Sequence, residues 1–376
     1  MRSMAYAIPL AMIAAVWTCA TGAEETSGVG GSPLNALPEF WQKHRASAVL
    51  RTDYFQSSRQ LDDETGFLGT TAQIKILPSL ADSIDGKLEL RVTNPNVGDG
   101  GRTETHLLEG YITIHLEKAD LRIGNQIVAW GRADGVNPTD NLTPRDFSVL
   151  LPFEEDQRFG LTALKLDYHA TPEYTVTFFT TPFFKPTKVP RSSGQGEPID
   201  RRPARTLGNS EFALKLNRTG GALDWSVSYM HGYSTLSDAR VLGLGPAGPV
   251  LELIYNRIDV VGADFARNFG RFGVRGELAY FFTEDREGRD PAVKNPYLYY
   301  VLGGDRSFFE NLNINFQWIG RWVQNFTDPE TIIDPIAREV AVQNAITDGQ
   351  QDRTSHGLSS RISKKWLNDA LVLFLA

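Results

Sequence analysis

From Leu312 the chain reads Leu, Asn, Ile, Asn, Phe, Gln, Trp, Ile, Gly, Arg, Trp. Leu312, Ile314, Phe316, Trp318 and Trp322 fall on one side of an extended chain, and Asn313, Asn315, Gln317 and Arg321 on the other. A period of two predicts a strand with two different surroundings. The same alternation recurs along most of the sequence. It predicts strands near 46–57, 67–77, 87–95, 107–117, 120–132, 159–170, 174–183, 211–218, 223–233, 254–266, 272–283, 296–307, 312–325, 355–366 and 370–376.

The connections alternate in length. Lys118–Ala119, Ala170–Glu173, Arg218–Ala222, Arg267–Arg271, Phe308–Asn311 and Leu367–Asp369 are short and hold turn residues. The stretches 96–106, 133–158, 184–210, 234–253, 284–295 and 326–354 are long. Short periplasmic turns and long outer loops are the plan of a transmembrane β-barrel, whereas a soluble sandwich has no reason to keep that rhythm. The faces agree. Ile112, Ile114 and Leu116, then Leu164, Leu166 and Tyr168, then Trp225, Val227 and Tyr229 form apolar sets, while Glu109, Thr113, Arg122, Gln126, Lys165, Asp167, Lys215 and Asn217 form the opposite one. A packed soluble core would not hold so many charges, because an unpaired buried ion costs several kcal/mol. The inner face is therefore expected to be wet. The fold class is all-β, an antiparallel transmembrane barrel of about 16 or 18 strands when complete. Since Ala370–Ala376 starts a strand and does not end on an aromatic residue, one or more C-terminal strands are expected to be missing.

Composition narrows the classes. Apolar residues make up 41% of 376, and no run after residue 23 could span a bilayer as a helix. The N-terminus places Arg2 before an apolar run from Ala5 to Val16, with Thr21 and Ala23 as small residues ahead of Glu24. This reads as a signal peptide over 1–23, followed by a lead-in over 24–45 and a barrel over 46–376. Cleavage would remove Cys19, the one cysteine, and leave 37 basic and 45 acidic residues, a net charge of −8. Disulfides, thiolate metal sites and nucleic-acid binding are not expected.

The most distinctive segment is Gly124–Arg158, which contains the third outer connection. Its charges Arg132, Asp134, Asp140, Arg145 and Asp146 are candidates for a pore constriction, set against a lumen wall bearing Arg122, Lys165, Arg275, Glu277, Arg321, Arg361 and Lys365. Opposed acids and bases across a narrow pore select solutes by charge and dipole. The same loop charges could instead pair with each other to hold the loop's shape. Trp130-Gly131 is expected to mark a bulge and an interface belt. GNQIVAWGRADGVNPTDNLTPRDF, through Gly124, Gln126, Val128, Trp130, Gly131, Asp134, Asn137, Pro138 and Asp140, resembles a segment of a family of porin-like outer-membrane proteins of Gram-negative bacteria. The resemblance implies a barrel of transport type in the outer membrane and names no solute.

Asp334-Pro335 followed by Ile336, Ala337, Val340 and Ala341 predicts a short helix closing at Gly349. Lys185, Lys188, Arg191, Arg201, Arg202 and Arg205 make the 184–210 loop basic, suited to anionic solutes or to lipopolysaccharide phosphates. The expected function is a channel for small solutes. The alternative is a sheath or export barrel working with a partner, such as an electron conduit or a polysaccharide exporter. A hydrolase is less supported, since neither G-x-S-x-G nor H-E-x-x-H occurs. No cofactor is implied. The expected partners are outer-membrane lipid, lipopolysaccharide, an unidentified solute, and a homotrimer mate or periplasmic protein.

Overall fold

The computed structural model describes residues 10–17, 41, 43–57, 66–97, 101–148, 154–190, 198–245, 248–309, 311–366 and 371–375. Strand β1 is Leu10–Trp17, β2 Ser47–Ser57, β3 Gly66–Ile76, β4 Ser79–Ala81, β5 Ile84–Asn94, β6 Glu104–His115 and β7 Ala119–Gln126. Then come β8 Leu161–His169, β9 Tyr174–Thr181, β10 Ile199–Arg201, β11 Glu211–Arg218, β12 Asp224–Tyr233, β13 Asp238–Gly245 and β14 Gly248–Ile254. The last are β15 Arg257–Phe269, β16 Phe272–Thr283, β17 Tyr297–Phe308, β18 Leu312–Val323, β19 Thr354–Trp366 and β20 Leu371–Leu375. One α-helix, α1, spans Pro335–Asp348.

All fifteen expected strands form, displaced by a few residues at their ends, except that β7, expected over 120–132, stops at Gln126 and leaves Trp130-Gly131 in the loop. Each of them pairs antiparallel with its neighbour in sequence, from β2–β3 and β3–β5 to β18–β19 and β19–β20. The result is one continuous meander, an outer-membrane-type β-barrel wall. The sheet is not closed. In the uncleaved chain β1, inside the segment read as a signal peptide, runs antiparallel along β2. An edge strand presents unpaired backbone groups that accept any extended segment. Most of the 24–45 lead-in lies outside the described residues.

The two faces are sorted as a lipid environment requires. Phe316, Trp318, Trp322, Leu302, Leu278, Leu214 and Ile112 are exposed on the outer surface, while Gln317, Glu277, Glu109 and Asp264 on the alternate positions are buried inside. Aromatic side chains gather at both strand ends. Tyr280 packs on Phe282 at 4.6 Å near the long-loop end, and Tyr174 meets Trp225 at 6.3 Å near the short-turn end. Arg306 lies over Phe272 and Phe308, 4.5 Å from each ring, with its stem along the apolar face.

The expectation of a wet inner face holds for part of the wall only. Leu161, Ala163, Phe179, Ala213, Met230, Ile258, Val260, Ala279 and Phe281 point inward from β8, β9, β11, β12, β15 and β16, and pack with Val128, Trp130 and Leu142. The period of two is unchanged, because both faces of these strands are apolar near the long-loop end. The reason is that the loop after β7 covers them, so water never reaches that half of the wall. The 234–253 connection, read as a plain loop, also carries β13 and β14, which pair with each other and, through β14, with β10.

Replacing Phe316 by Lys, near the middle of β18, is expected to lower folding stability in lipid vesicles by about 2–4 kcal/mol. The same change at the inward Asn315 should cost far less. Urea unfolding monitored by the heat-modifiable band shift measures both.

Candidate functional site

The loop joining β7 to β8 runs inside the wall. Its start is held by two inward side chains. Gln126, with no exposed surface, donates through Nε2 to the Ala163 carbonyl at 2.9 Å, and the Ile127 N–H donates to Glu109 Oε1 at 3.0 Å. Thr143 then staples the loop to itself: its hydroxyl donates to the Val128 carbonyl at 2.6 Å and accepts from the Val128 N–H at 2.9 Å.

The tip reaches the opposite wall, where Glu277 of β16, only 4% exposed, receives it. Glu277 Oε1 accepts from the N–H groups of Arg132 at 2.5 Å and Ala133 at 2.7 Å. Oε2 accepts from the Thr139 N–H at 3.2 Å and hydroxyl at 2.9 Å. Gly131 makes this possible. Its φ is +98°, and a Cβ there would collide with the Glu277 carboxylate. Arg132 pairs with Asp264 of β15 and donates to Asn217 Oδ1 of β11 at 2.6 Å. Burial draws its guanidinium down from the usual value, with Asp224 and Glu277 pulling the other way. Asp134 pairs with Arg275 and accepts from Asn315 Nδ2 of β18 at 2.7 Å. Arg275 also reaches Asp305 at 3.2 Å.

The returning limb is tied to a third part of the wall. Asp156 meets Arg51 of β2 at 2.7 Å and Arg91 of β5 at 2.9 Å. Arg51 also binds Asp53 at 3.1 Å. The loop thus touches the wall along β2–β5, β8–β12 and β15–β18.

The candidate constriction residues separate into two groups. Arg132 and Asp134 contact the wall as described. Asp140, Arg145 and Asp146 do not face the wall cations. Asp140 has no side-chain exposure, and it accepts from the Trp130 N–H at 3.1 Å while pairing with Arg145 at 3.1 Å and Arg158 at 2.5 Å. Asp146 pairs with Lys188 of the following long loop at 2.9 Å. Burial works against the Asp146 carboxylate, but bonds from Ser148 and Lys188 outweigh it and hold the group below the ordinary carboxylate value. Trp130 is not in an interface belt. It is buried in the apolar layer under the loop, with Lys215 Nζ 5.4 Å from its ring centre.

Among the candidate wall residues, Arg275 and Glu277 hold the loop. Lys165 pairs with Asp167 at 2.5 Å, and Arg122 lies over Tyr111 at 4.4 Å. Arg361 sits across from Asn315 on β19, and Lys365 lies further along the same face. Arg321 turns to a different partner, the Asp348 carbonyl at the end of α1.

That helix forms as expected. The Asp334 carboxylate caps the N–H groups of Ile336 at 3.0 Å and Ala337 at 2.7 Å, and Gly349 closes the helix at φ +63°. Three outer loops meet beside it. Lys294 is buried against Asp348 at 2.6 Å and Asp238 at 3.5 Å. Burial alone would lower the Lys294 ammonium, yet the two carboxylates hold it above the ordinary lysine value. Burial raises the Asp238 carboxyl well above its ordinary value, against the pull of Lys294. Asn344 of α1 clamps the backbone of Ala239, donating and accepting at 2.8 Å.

The basic 184–210 loop is neutralised in part, since Lys185 meets the Gly160 carbonyl and the Phe159 ring, and Arg205 the Phe183 ring, with no acid against either among the described residues. Arg201 pairs with Glu252, Arg202 with Asp200 at 2.7 Å and Lys188 with Asp146, while Arg191 lies outside the described residues. One pairing escaped the sequence reading. On the outer face His231 Nδ1 lies 2.8 Å from Asp259, but Arg257 occupies Nε2 at 3.0 Å and the Tyr229 hydroxyl also binds Asp259. That arrangement ties β12 to β15.

Glu277→Ala is expected to free the loop tip. Each deserted N–H costs about 1–3 kcal/mol where water cannot enter, and less where it can. Protease added to folded protein should then cut between Gly131 and Asp140 in the variant while sparing the wild type. Glu277→Gln, which keeps one acceptor oxygen, should fall between them.

Comparisons with known proteins follow the architecture. The structure resembles a loop-deletion mutant of OmpT, an outer membrane protein of Vibrio cholerae, at 11% identity over 85% of this chain and 86% of that one, with a TM-score of 0.45. Pseudomonas putida OprB gives 12% identity over 88% and 87%, with a TM-score of 0.45. The outer membrane channel DcaP of Acinetobacter baumannii gives 11% over 86% and 88%, with a TM-score of 0.47. At that level of likeness none of them carries an argument about what this chain transports. A search of curated proteins finds no match. A family model described as a protein of unknown function, DUF1302, matches residues 96–373, three quarters of the sequence, and the chain belongs to that family.

Proposed function

We propose that this protein is an outer-membrane channel for small solutes, narrowed by the loop between β7 and β8. The observation that carries the reading is the reception of the loop tip by Glu277 on the far wall, at 2.5–3.2 Å from four donors. A loop held at both ends across a lumen reduces its cross-section without closing it by motion. Arg132, Asp134, Arg275 and Glu277 are charged groups at that crossing, with Asp264, Asp305 and Asn315 among their partners. The crossing loop speaks against a sheath, which needs an unobstructed lumen for its partner protein. Arg205 of the basic outer loop is exposed and stands over the Phe183 ring rather than an acid, which suits it to anionic solutes or lipopolysaccharide phosphates. A trimer remains compatible with the exposed apolar outer surface.

The test is single-channel conductance of the full-length chain in planar bilayers across salt types. Steady open steps are expected. Asp134→Ala leaves Arg275 without one of its carboxylates, so the anion-to-cation permeability ratio should rise by about twofold or more. Asp146→Ala, away from the crossing, should leave that ratio unchanged. Folded, heat-modifiable protein that never conducts would overturn the reading.

A further inference from the structure

A second cluster of charges lies at the short-turn end of the wall, at the opposite end of β7 from the third loop. Asp120, near the start of β7, is shared by two imidazoles. His115 Nδ1, at the end of β6, lies 2.6 Å from its Oδ1, and His169 Nε2, at the end of β8, lies 3.1 Å from its Oδ2. The other nitrogen of His115 also meets an acid, with Nε2 3.3 Å from Asp85 Oδ2 on β5. Arg45, in the chain leading into β2, reaches Asp85 at 3.5 Å, and the Thr175 hydroxyl of β9 lies 3.2 Å from His169 Nδ1. These acids and histidines stand at inward positions, in step with Lys87, Thr113, Arg122 and Asp167 on the same strands. Their side chains are 35% to 46% exposed, so water and protons reach them.

The charges next along the wall are committed elsewhere. Lys87 pairs with Glu89 at 2.8 Å and with Glu109, Asp167 with Lys165 at 2.5 Å, and Arg122 lies over the Tyr111 ring at 4.4 Å. The adjoining turns add Asp82, Glu117 and Lys118, all exposed, and His44 precedes Arg45. Carboxylate and guanidinium groups ordinarily keep their charge between about pH 5 and 8, whereas histidine changes its charge within that range. An imidazolium is favoured by a carboxylate beside it, and two imidazoliums on one carboxylate repel each other, so their proton uptake is linked. We propose that His115, His169, Asp120 and Asp85 form a proton-binding cluster at the periplasmic mouth of the lumen, and that proton uptake there turns the ion preference of the channel towards anions. With both rings protonated the mouth carries two more positive charges than with both neutral, and a mouth of one sign concentrates ions of the other. The effect on ions rests on the channel reading, while the cluster itself does not.

The experiment has two readouts. In the first, NMR of full-length protein, labelled with 15N at histidine and folded in detergent, follows the ring resonances from pH 8 to pH 5, with His115→Gln and His169→Gln supplying the assignments. Both rings are expected to titrate in that range. Asp120→Asn should move the His115 midpoint down by about half a pH unit or more, because the carboxylate that favours the imidazolium is gone. Asp85→Asn should move it in the same direction, and it decides the matter if Asp120→Asn lacks the heat-modifiable band shift of a folded barrel. In the second, the reversal potential in planar bilayers under a potassium chloride gradient gives the anion-to-cation permeability ratio. That ratio should rise by about twofold or more from pH 8 to pH 5. The double variant His115→Gln/His169→Gln, in which His44 and the other titrating groups are unchanged, should keep less than half of the rise. A His115 midpoint indifferent to both carboxylate variants, or a rise that survives in the double variant, would overturn the proposal. Linked titration in protein that never conducts defeats the channel and spares the proton-binding cluster, whereas steady steps without linked titration defeat the cluster and spare the channel.

Discussion

A single carboxylate, that of Glu277, fixes what the inside of this wall looks like. It stands on β16 at an inward position, and it accepts from two consecutive backbone N–H groups and from both donors of Thr139. Backbone donors in an irregular loop have no ladder to satisfy them, so a loop crossing a lumen must find acceptors there or leave its donors to water. Glu277 meets that need from β16, a strand that pairs with neither β7 nor β8. Gly131 is the complementary half of the same feature, because only a residue without a Cβ lets the backbone turn onto the carboxylate. Once the tip is held, Arg132 and Asp134 are delivered to Asp264 and Arg275, and the apolar flank of the loop is laid on the wall.

The two kinds of contact divide the work between them. Burial of Val128, Trp130 and Leu142 against the wall supplies most of the attachment energy, since apolar burial is favourable at roughly 25 cal/mol per Å². The ion pairs contribute less net energy, because stripping water from each charge offsets much of the attraction. What they contribute is position. An apolar layer alone would tolerate sliding along the strand axis, whereas Asp134 on Arg275, and Asp156 between Arg51 and Arg91, allow one register. The loop therefore behaves as part of the wall.

The strands were legible because lipid imposes a simple rule on them. A residue facing hydrocarbon must be apolar, and its neighbours in the strand need not be, so alternation survives in the sequence wherever the lumen is wet. The helix was legible for a local reason, since Asp334, Pro335 and Gly349 are cap residues that act within one turn. The site was legible only in outline. The segment and its charges stand out in the sequence, but pairing is decided by which wall the loop reaches, and that depends on residues about 85–180 positions away. Asp140 carried the same signal as Asp134, yet one is folded into the loop's own frame and the other meets Arg275. Trp130 was misread because a tryptophan after a barrel strand fits a headgroup belt as well as it fits a covered lumen wall. The apolar inward positions, such as Phe179, Met230 and Phe281, were the available clue. They are out of place in a wholly wet lumen, and they mark where the loop lies.

The outer loops extend the same logic upward. Lys294 gathers Asp238 from the β13–β14 hairpin and Asp348 from α1, and Asn344 binds the hairpin backbone directly. Three connections that could move independently are joined around one buried ammonium. Removing the ammonium from such a group would leave two carboxylates facing each other in a buried place, which is costlier than never having built it. The outer mouth is thus bounded by parts that are each held from elsewhere: the third loop by Glu277, the wall by its ladders, and α1 by Lys294 and Asn344.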